Sequence, residues 1–350
     1  CSSATPHLAP LAPALLSCIM SVATDKGRFM HMVCAFAMLS STFSQTSDDL
    51  IPQLVAVIET MEVEAYGSTL SALTSLFHTD TTCTLSELVS FLQVIALMFQ
   101  HAPPRSSRAS DKCFSHLVLS LGPVATHFPT LTKPIVEVLV CVCQYRPHML
   151  RPFDVPRILG LLGILLGPRL AEPVDEHDAS AIFGGICGVL RSLIRHRKDL
   201  IKPCLPHLTE LLSQQWRLLS HASSAHTGMA IERQIHASMP CWLNMVVSPL
   251  GLDAAQAFRR VLSELAGKTS VIHVSKKAKP HTPNMNETLA KSMTKHAVYI
   301  LVAYARCVTM PHTTIPPNLR REIMPGLFAL CDICGDFERD AALKSMLDAS

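Results

Sequence analysis

Apolar residues recur along the chain at spacings of three and four, and the period-2 alternation of half-buried strands is nearly absent. Breaks at Pro, Gly and polar clusters divide this pattern into helices near 8–24, 28–44, 48–63, 67–79, 84–101, 111–121, 131–146, 155–167, 177–202, 204–221, 226–247, 251–266, 286–310, 316–334 and 337–348. Several starts carry their own chemistry. Thr84 and Glu87 in "TLSELVSFLQVIALMFQH" form a capping-box pair, in which hydroxyl and carboxylate each satisfy a backbone N–H that the first turn leaves orphaned. Asp48 and Asp49 precede an apolar run where the helix dipole favours negative charge, and Pro52 falls in the first turn, where its missing N–H is harmless. Helices this short, each with one broad apolar stripe, bury themselves only by stacking on neighbours. The expected fold is therefore all-α, an irregular HEAT/armadillo-like α-solenoid of about fifteen helices with no strict repeat period.

Two stretches interrupt the array. "HAPPRSSRASDK" holds a Pro/Ser/Arg linker, expected to be exposed and mobile over 101–110, and "GKTSVIHVSKKAKPHTPNMN" (267–286) reads as a basic loop. The expected organisation is N-terminal repeats over 1–100, central repeats over 111–266 and C-terminal helices over 287–350. Because the chain opens on Cys1 and stops just after a helical run, it reads as part of a longer protein.

Composition narrows the class. Hydrophobic residues make up 49% of the 350, ample for a continuous core, and charged residues 16%. A net charge of +3 announces no polyanion partner, so any basic surface has to be local. The 13 cysteines lie scattered through apolar runs, among them Cys18, Cys34, Cys187, Cys241 and Cys307, which fits buried reduced thiols in cytosol or nucleus. Leu8 to Thr24 is interrupted by Pro10 and Pro13 and lacks a basic leader, and no run of 18 wholly apolar residues occurs. The expectation is a soluble chain without a membrane partner.

Candidate chemistry is sparse. "AGKTS" (266–270) has the Gly-Lys-Thr end of a phosphate loop, but the position of the first glycine is Leu262, inside a helix. Cys331 and Cys334 stand one turn apart, and Cys141 and Cys143 form another pair, yet neither has the spaced partners that a four-ligand zinc site needs. Seventeen histidines include no His-Glu-x-x-His helix. Glu172, Asp175, Glu176 and Asp178 suit a helix N-terminus. No nucleophile, base and orienter assemble from these residues, so the expectation is a chain that binds, with no catalysis, cofactor, metal or small-molecule substrate.

"RSLIRHRKDLIK" (191–202) is more informative. On a continuous helix Arg191, Arg195, Lys198 and Lys202 share a face, with Leu190, Leu193, Ile194 and Ile201 on the other. Two readings stand: a solvated face near a helix C-terminus, or a stripe contacting RNA phosphates. Candidate backbone contacts are Arg191, Arg195, Arg197, Lys198 and Lys202, with Lys268, Lys276, Lys277 and Lys279 of the basic loop. Aromatics are only 5% of the chain, which disfavours base stacking.

"KSMTKHAVYILVAYARCVTMPHTTIPPNLRREIMPGLFALCDICGDFERDAALKSMLDAS" (291–350) resembles the end of the unhealthy ribosome biogenesis protein 2 family, also called nucleolar pre-ribosomal-associated proteins. The carrying elements are Lys295-His296 ahead of Tyr299 and Tyr304, then "RREIMPGLFALCDIC", then a helix ending "LDAS". "AIFGGICGVLRSLIRHRKDLIKPCLPHLTELLSQQWRLL" (181–219) looks like the same family's helix pair. The resemblance implies a non-enzymatic nucleolar scaffold joining early precursors of the large ribosomal subunit. Its implied partners are a sister helical scaffold, a DEAD-box helicase, small assembly proteins and precursor rRNA. The alternative is a HEAT-like adaptor or transport scaffold with no rRNA role.

Overall fold

A computed structural model describes residues 14–15, 18–19, 21, 29–42, 47–77, 83–104, 106–168, 176–222, 239–244, 249–267, 289–310 and 313–347. Fourteen α-helices are set among these residues, and the chain divides into two compact units, 1–161 and 162–350.

The first unit contains α1 (Phe29–Thr42), α2 (Ser47–Thr60), α3 (Val63–Ser75), α4 (Leu85–Gln100), α5 (Ser107–His127) and α6 (Thr132–Tyr145). Its centre is α4, which packs on α6 and α1, while α3 packs on α5. The sequence of α4 explains that position. Leu88, Phe91, Leu92, Val94, Ile95, Met98 and Phe99 are all buried, too many apolar positions for a single stripe. Thr84 caps it as expected: its Oγ1 accepts from the Glu87 N–H at 3.4 Å, and its own N–H donates to Glu87 Oε2 at 2.7 Å. The C-terminal carbonyls are closed from other helices. Tyr66 Oη donates to Met98 O at 2.9 Å, and Arg146 donates from Nε to Phe99 O and from Nη2 to Ala102 O at 3.3 and 2.7 Å.

The second unit takes in α8 (Glu176–His196), the single-turn α9 (Lys198–Ile201), α10 (Leu205–Leu218), α11 (Leu252–Ala266), α12 (Leu289–Thr309), α13 (Pro317–Ile333) and α14 (Asp336–Leu347). The remaining helix, α7 (Asp154–Leu166), holds the division between the units. In the second unit α11 lies between α8 and α13, and α12 contacts α10, α13 and α14. An aromatic chain joins these helices: Phe183 to Phe258 at 6.4 Å, Phe258 to Trp216 at 4.7 Å and Trp216 to Tyr304 at 4.9 Å between ring centroids. Gly326 fixes how closely α13 approaches α11, since a Cβ there would stand 3.0 Å from Leu262 Cβ and 3.3 Å from Arg259 O.

Corrections to the expected elements have local causes. Within the segment over 101–110, Ala102, Pro103, Ser106 and Ser110 are buried and Pro104 is exposed, and α5 already starts at Ser107. Ser106 Oγ donates to Pro103 O at 2.7 Å and Ser110 Oγ to Ser106 O at 3.0 Å, so these hydroxyls enter the interior satisfied. Helix α5 continues past Pro123, which is exposed, and ends with Thr126 Oγ1 donating to Gly122 O at 2.9 Å. Since α2 starts at Ser47, Pro52 lies in its second turn, also exposed. Met239–Asn244, expected to be helical, forms turns around Pro240, and the rest of the helix expected over 226–247 lies outside the described residues. Of the helix expected over 8–24, residues 14–15, 18–19 and 21 are helical and the others lie outside the described residues. One short β pairing occurs where none was expected, His221–Ala222 antiparallel to Thr313–Thr314.

Candidate nucleic-acid interface

The expected basic stripe is divided by the backbone. Arg197 takes φ −130° and ψ 49°, which ends α8 at His196 and lets α9 start at Lys198. The charges agree with that break, with Arg195 and His196 in the last turn of α8 and Asp199 in the first turn of α9. Arg191, Arg195, Lys198 and Lys202 therefore do not share one uninterrupted helical face. Arg197 clamps the junction, its Nε and Nη2 donating to the Asp199 carboxylate at 3.3 and 3.2 Å. That pair holds the Asp199 carboxyl below its ordinary range, chiefly through the hydrogen bond from Arg197. Arg195 is exposed, and Lys198 and Lys202 are half-buried. Lys268, Lys276, Lys277 and Lys279 lie outside the described residues.

Arg191 belongs to a different arrangement. Its Nε stands 3.6 Å from Glu264 Oε2 on α11. One turn earlier on α11, Arg259 Nη1 reaches Glu322 Oε1 of α13 at 3.0 Å. Beside it Arg260 is exposed. These side chains border an open cleft of about 380 Å³, lined by Arg191, Arg259, Arg260, Ser263 and Glu264 with Gly267 and Pro325. Each carboxylate engages one edge of a guanidinium that has five N–H donors, so donors remain for an anion in the cleft. Arg259 and Arg260 were not among the sequence candidates. The signal available for them was the Arg-Arg pair on the amphipathic run "LDAAQAFRRVLSELA", with Glu264 four residues after Arg260.

The other candidate chemistries come to less. Gly267 follows the end of α11, not the strand that leads into a phosphate loop, and the rest of "GKTS" lies outside the described residues. Cys331 is half-buried and Cys334 buried, and burial pushes both thiols up. Burial does the same to Cys143 and Cys187, while Cys141 is pushed up to about 11 by burial and then by Glu137. Thiols held protonated are poor nucleophiles. Among the described residues no group of three or more His, Cys, Asp or Glu is placed to hold a metal ion, and no helix is long and apolar enough to cross a membrane. Glu176 and Asp178 lie in the first turn of α8, and Glu172 and Asp175 fall outside the described residues.

Fold and site together define a helical protein that carries an open, arginine-bordered cleft on its second unit. The chain belongs to the Urb2/Npa2 family, whose model matches residues 133–350, more than half of its length. This is a family of ribosome biogenesis and is not a known family of enzymes. The match begins upstream of the segments that carry the resemblance in the sequence and includes α7, all of the second unit's helices and nearly all of α6. Comparison with curated proteins and comparison with solved structures gave no match.

Proposed function

We propose that this chain is a non-enzymatic scaffold of the nucleolus, acting in early assembly of the large ribosomal subunit and in processing of its precursor rRNA. The observation that carries the reading is family membership over 133–350. The contact pattern supports an α-solenoid of HEAT or armadillo kind. In the first unit α3 packs on α5 and α4 on α6; in the second α11 packs on α13, α10 on α12 and α12 on α14. Contact between alternate helices is what two-layer helical stacks produce, and such stacks present long surfaces to several partners. The proposed partners are a sister helical scaffold, a DEAD-box helicase and small assembly proteins, with contact to the rRNA backbone through basic residues of 191–202 and 259–279.

Affinity purification of the tagged protein tests this. Large-subunit rRNA precursors and their assembly factors are expected in the eluate. An eluate holding protein partners but neither of these would establish the alternative, a helical adaptor without an rRNA role.

A further inference from the structure

We propose that the cleft between α8, α11 and α13 binds the sugar–phosphate backbone of RNA without regard to base sequence, with Arg260, Arg191 and Arg259 as the contacting cations and Ser263 as a hydroxyl donor. The cleft unites residues from three helices: Arg191 from α8, Arg259, Arg260 and Ser263 from α11, and Pro325 from α13. Two carboxylates flank it. Glu322 orients the Arg259 guanidinium at 3.0 Å before a ligand arrives, and Glu264 stands 3.6 Å from Arg191 as a looser ion pair. Arg260 is exposed, as is Ser263, and together they supply the outward-facing donors.

The shape and lining favour a polyanion. Among the described residues no aromatic side chain lines the cleft to stack on a base. Glu264 in the lining faces Arg191, and among the described residues no Asn or Gln lines the cleft to read a base edge. The cleft is open, unlike an enclosed pocket for a single phosphoryl group. Three arginines from two helices around an open cleft suit successive phosphates of a strand better than one phosphorylated side chain. That the polyanion is RNA rests on the ribosome-assembly reading; that the cleft takes phosphodiesters rests on its own residues.

The test is fluorescence anisotropy of two labelled RNAs of unrelated sequence with the full chain, over a series of salt concentrations. The wild-type chain is expected to bind both alike. Arg260→Ala is expected to weaken both about three- to tenfold and to lower the slope of log affinity against log salt by about one, as loss of one phosphate contact does. Arg191→Gln with Arg260→Ala lowers affinity and slope further, Arg260→Lys recovers most of the loss, and Arg306→Ala at the exposed end of α12 changes neither. Circular dichroism of each variant is expected to match wild type, since Arg260 is on the surface. Unchanged affinity in the double variant overturns the proposal, and so does discrimination between the two RNAs. Binding of a phosphoserine peptide at salt concentrations where RNA no longer binds would make the cleft a phosphoprotein pocket instead. Cleft-dependent RNA binding by a chain that purifies without rRNA precursors would sink the assembly reading and leave the cleft standing; the reverse pattern would sink the cleft alone.

Discussion

Arginine has opposite employments in the two units. In the first, Arg146 turns inward and gives two hydrogen bonds to carbonyls at and beyond the end of α4, Phe99 O and Ala102 O. In the second, Arg191 and Arg259 reach across helices to Glu264 and Glu322 and border an open cleft. Residue type does not separate these roles. What separates them is the partner: a helix terminus has backbone acceptors that need closing whatever the ligand, whereas a carboxylate on a neighbouring helix orients a guanidinium and leaves its other donors available. The first arrangement stabilises a fold and the second prepares a surface.

Arg146→Met is the largest test of that difference. It removes both charged hydrogen bonds and leaves two carbonyls to find other donors, a loss of about 2–3 kcal/mol. Urea unfolding should show this destabilisation while the RNA affinity of the folded protein stays at the wild-type value. A fall in RNA affinity equal to that of Arg260→Ala, with unfolding unchanged, would erase the distinction.

Gly326→Ala probes the second arrangement from behind. The new Cβ meets Leu262 Cβ at 3.0 Å and Arg259 O at 3.3 Å, and neither is the far end of a flexible side chain. Overpacking of this kind costs about 1–3 kcal/mol, partly offset by the better helix propensity of alanine. Relief requires α13 to move from α11, which separates Glu322 from Arg259 and frees the guanidinium it positions. The expected result is a lower urea midpoint together with a small change in RNA affinity. A lower midpoint with RNA binding unaltered would show that Glu322 does not position Arg259 for binding.

The same contrast explains what was legible in the sequence. Helix α4 and its Thr84–Glu87 cap were readable because every part of them lies within a few residues and obeys one period. The break at Arg197 also had a local signature, basic residues closing one helix and Asp199 opening the next, although a face drawn continuously from Arg191 to Lys202 hid it. The cleft had no such signature. Arg191, Arg260 and Pro325 are distant in sequence and meet only because α11 packs on both α8 and α13. The buried serines near Pro103 were misread for a related reason: their hydroxyls donate to carbonyls three and four residues back, and composition alone describes them as solvent-seeking.

The smallest expected effect sharpens the comparison with one carboxylate from each unit, both facing an arginine. Asp111 lies 3.8 Å from Arg151, yet loss of solvent outweighs that attraction and holds its carboxyl above the ordinary value of 3.8. Asp199 accepts two hydrogen bonds from Arg197, and these outweigh desolvation and hold it below 3.8. Their linkage to stability therefore has opposite signs. For Asp111 the folded state binds the proton more tightly, so the contribution is full below the unfolded value and is lost as pH rises through the raised folded value. For Asp199 it is present above the unfolded value and lost as pH falls through the lowered one. Carboxyl chemical shifts followed by NMR from pH 7 downward should show Asp111 taking up its proton first and Asp199 last. Arg197→Ala should return Asp199 toward 3.8 without altering Asp111, and Arg151→Ala should raise Asp111 further. If Asp111 instead fell below 3.8 in the intact protein, Arg151 would be a partner as effective as Arg197, and the contrast between a bidentate clamp and a distant ion pair would fail.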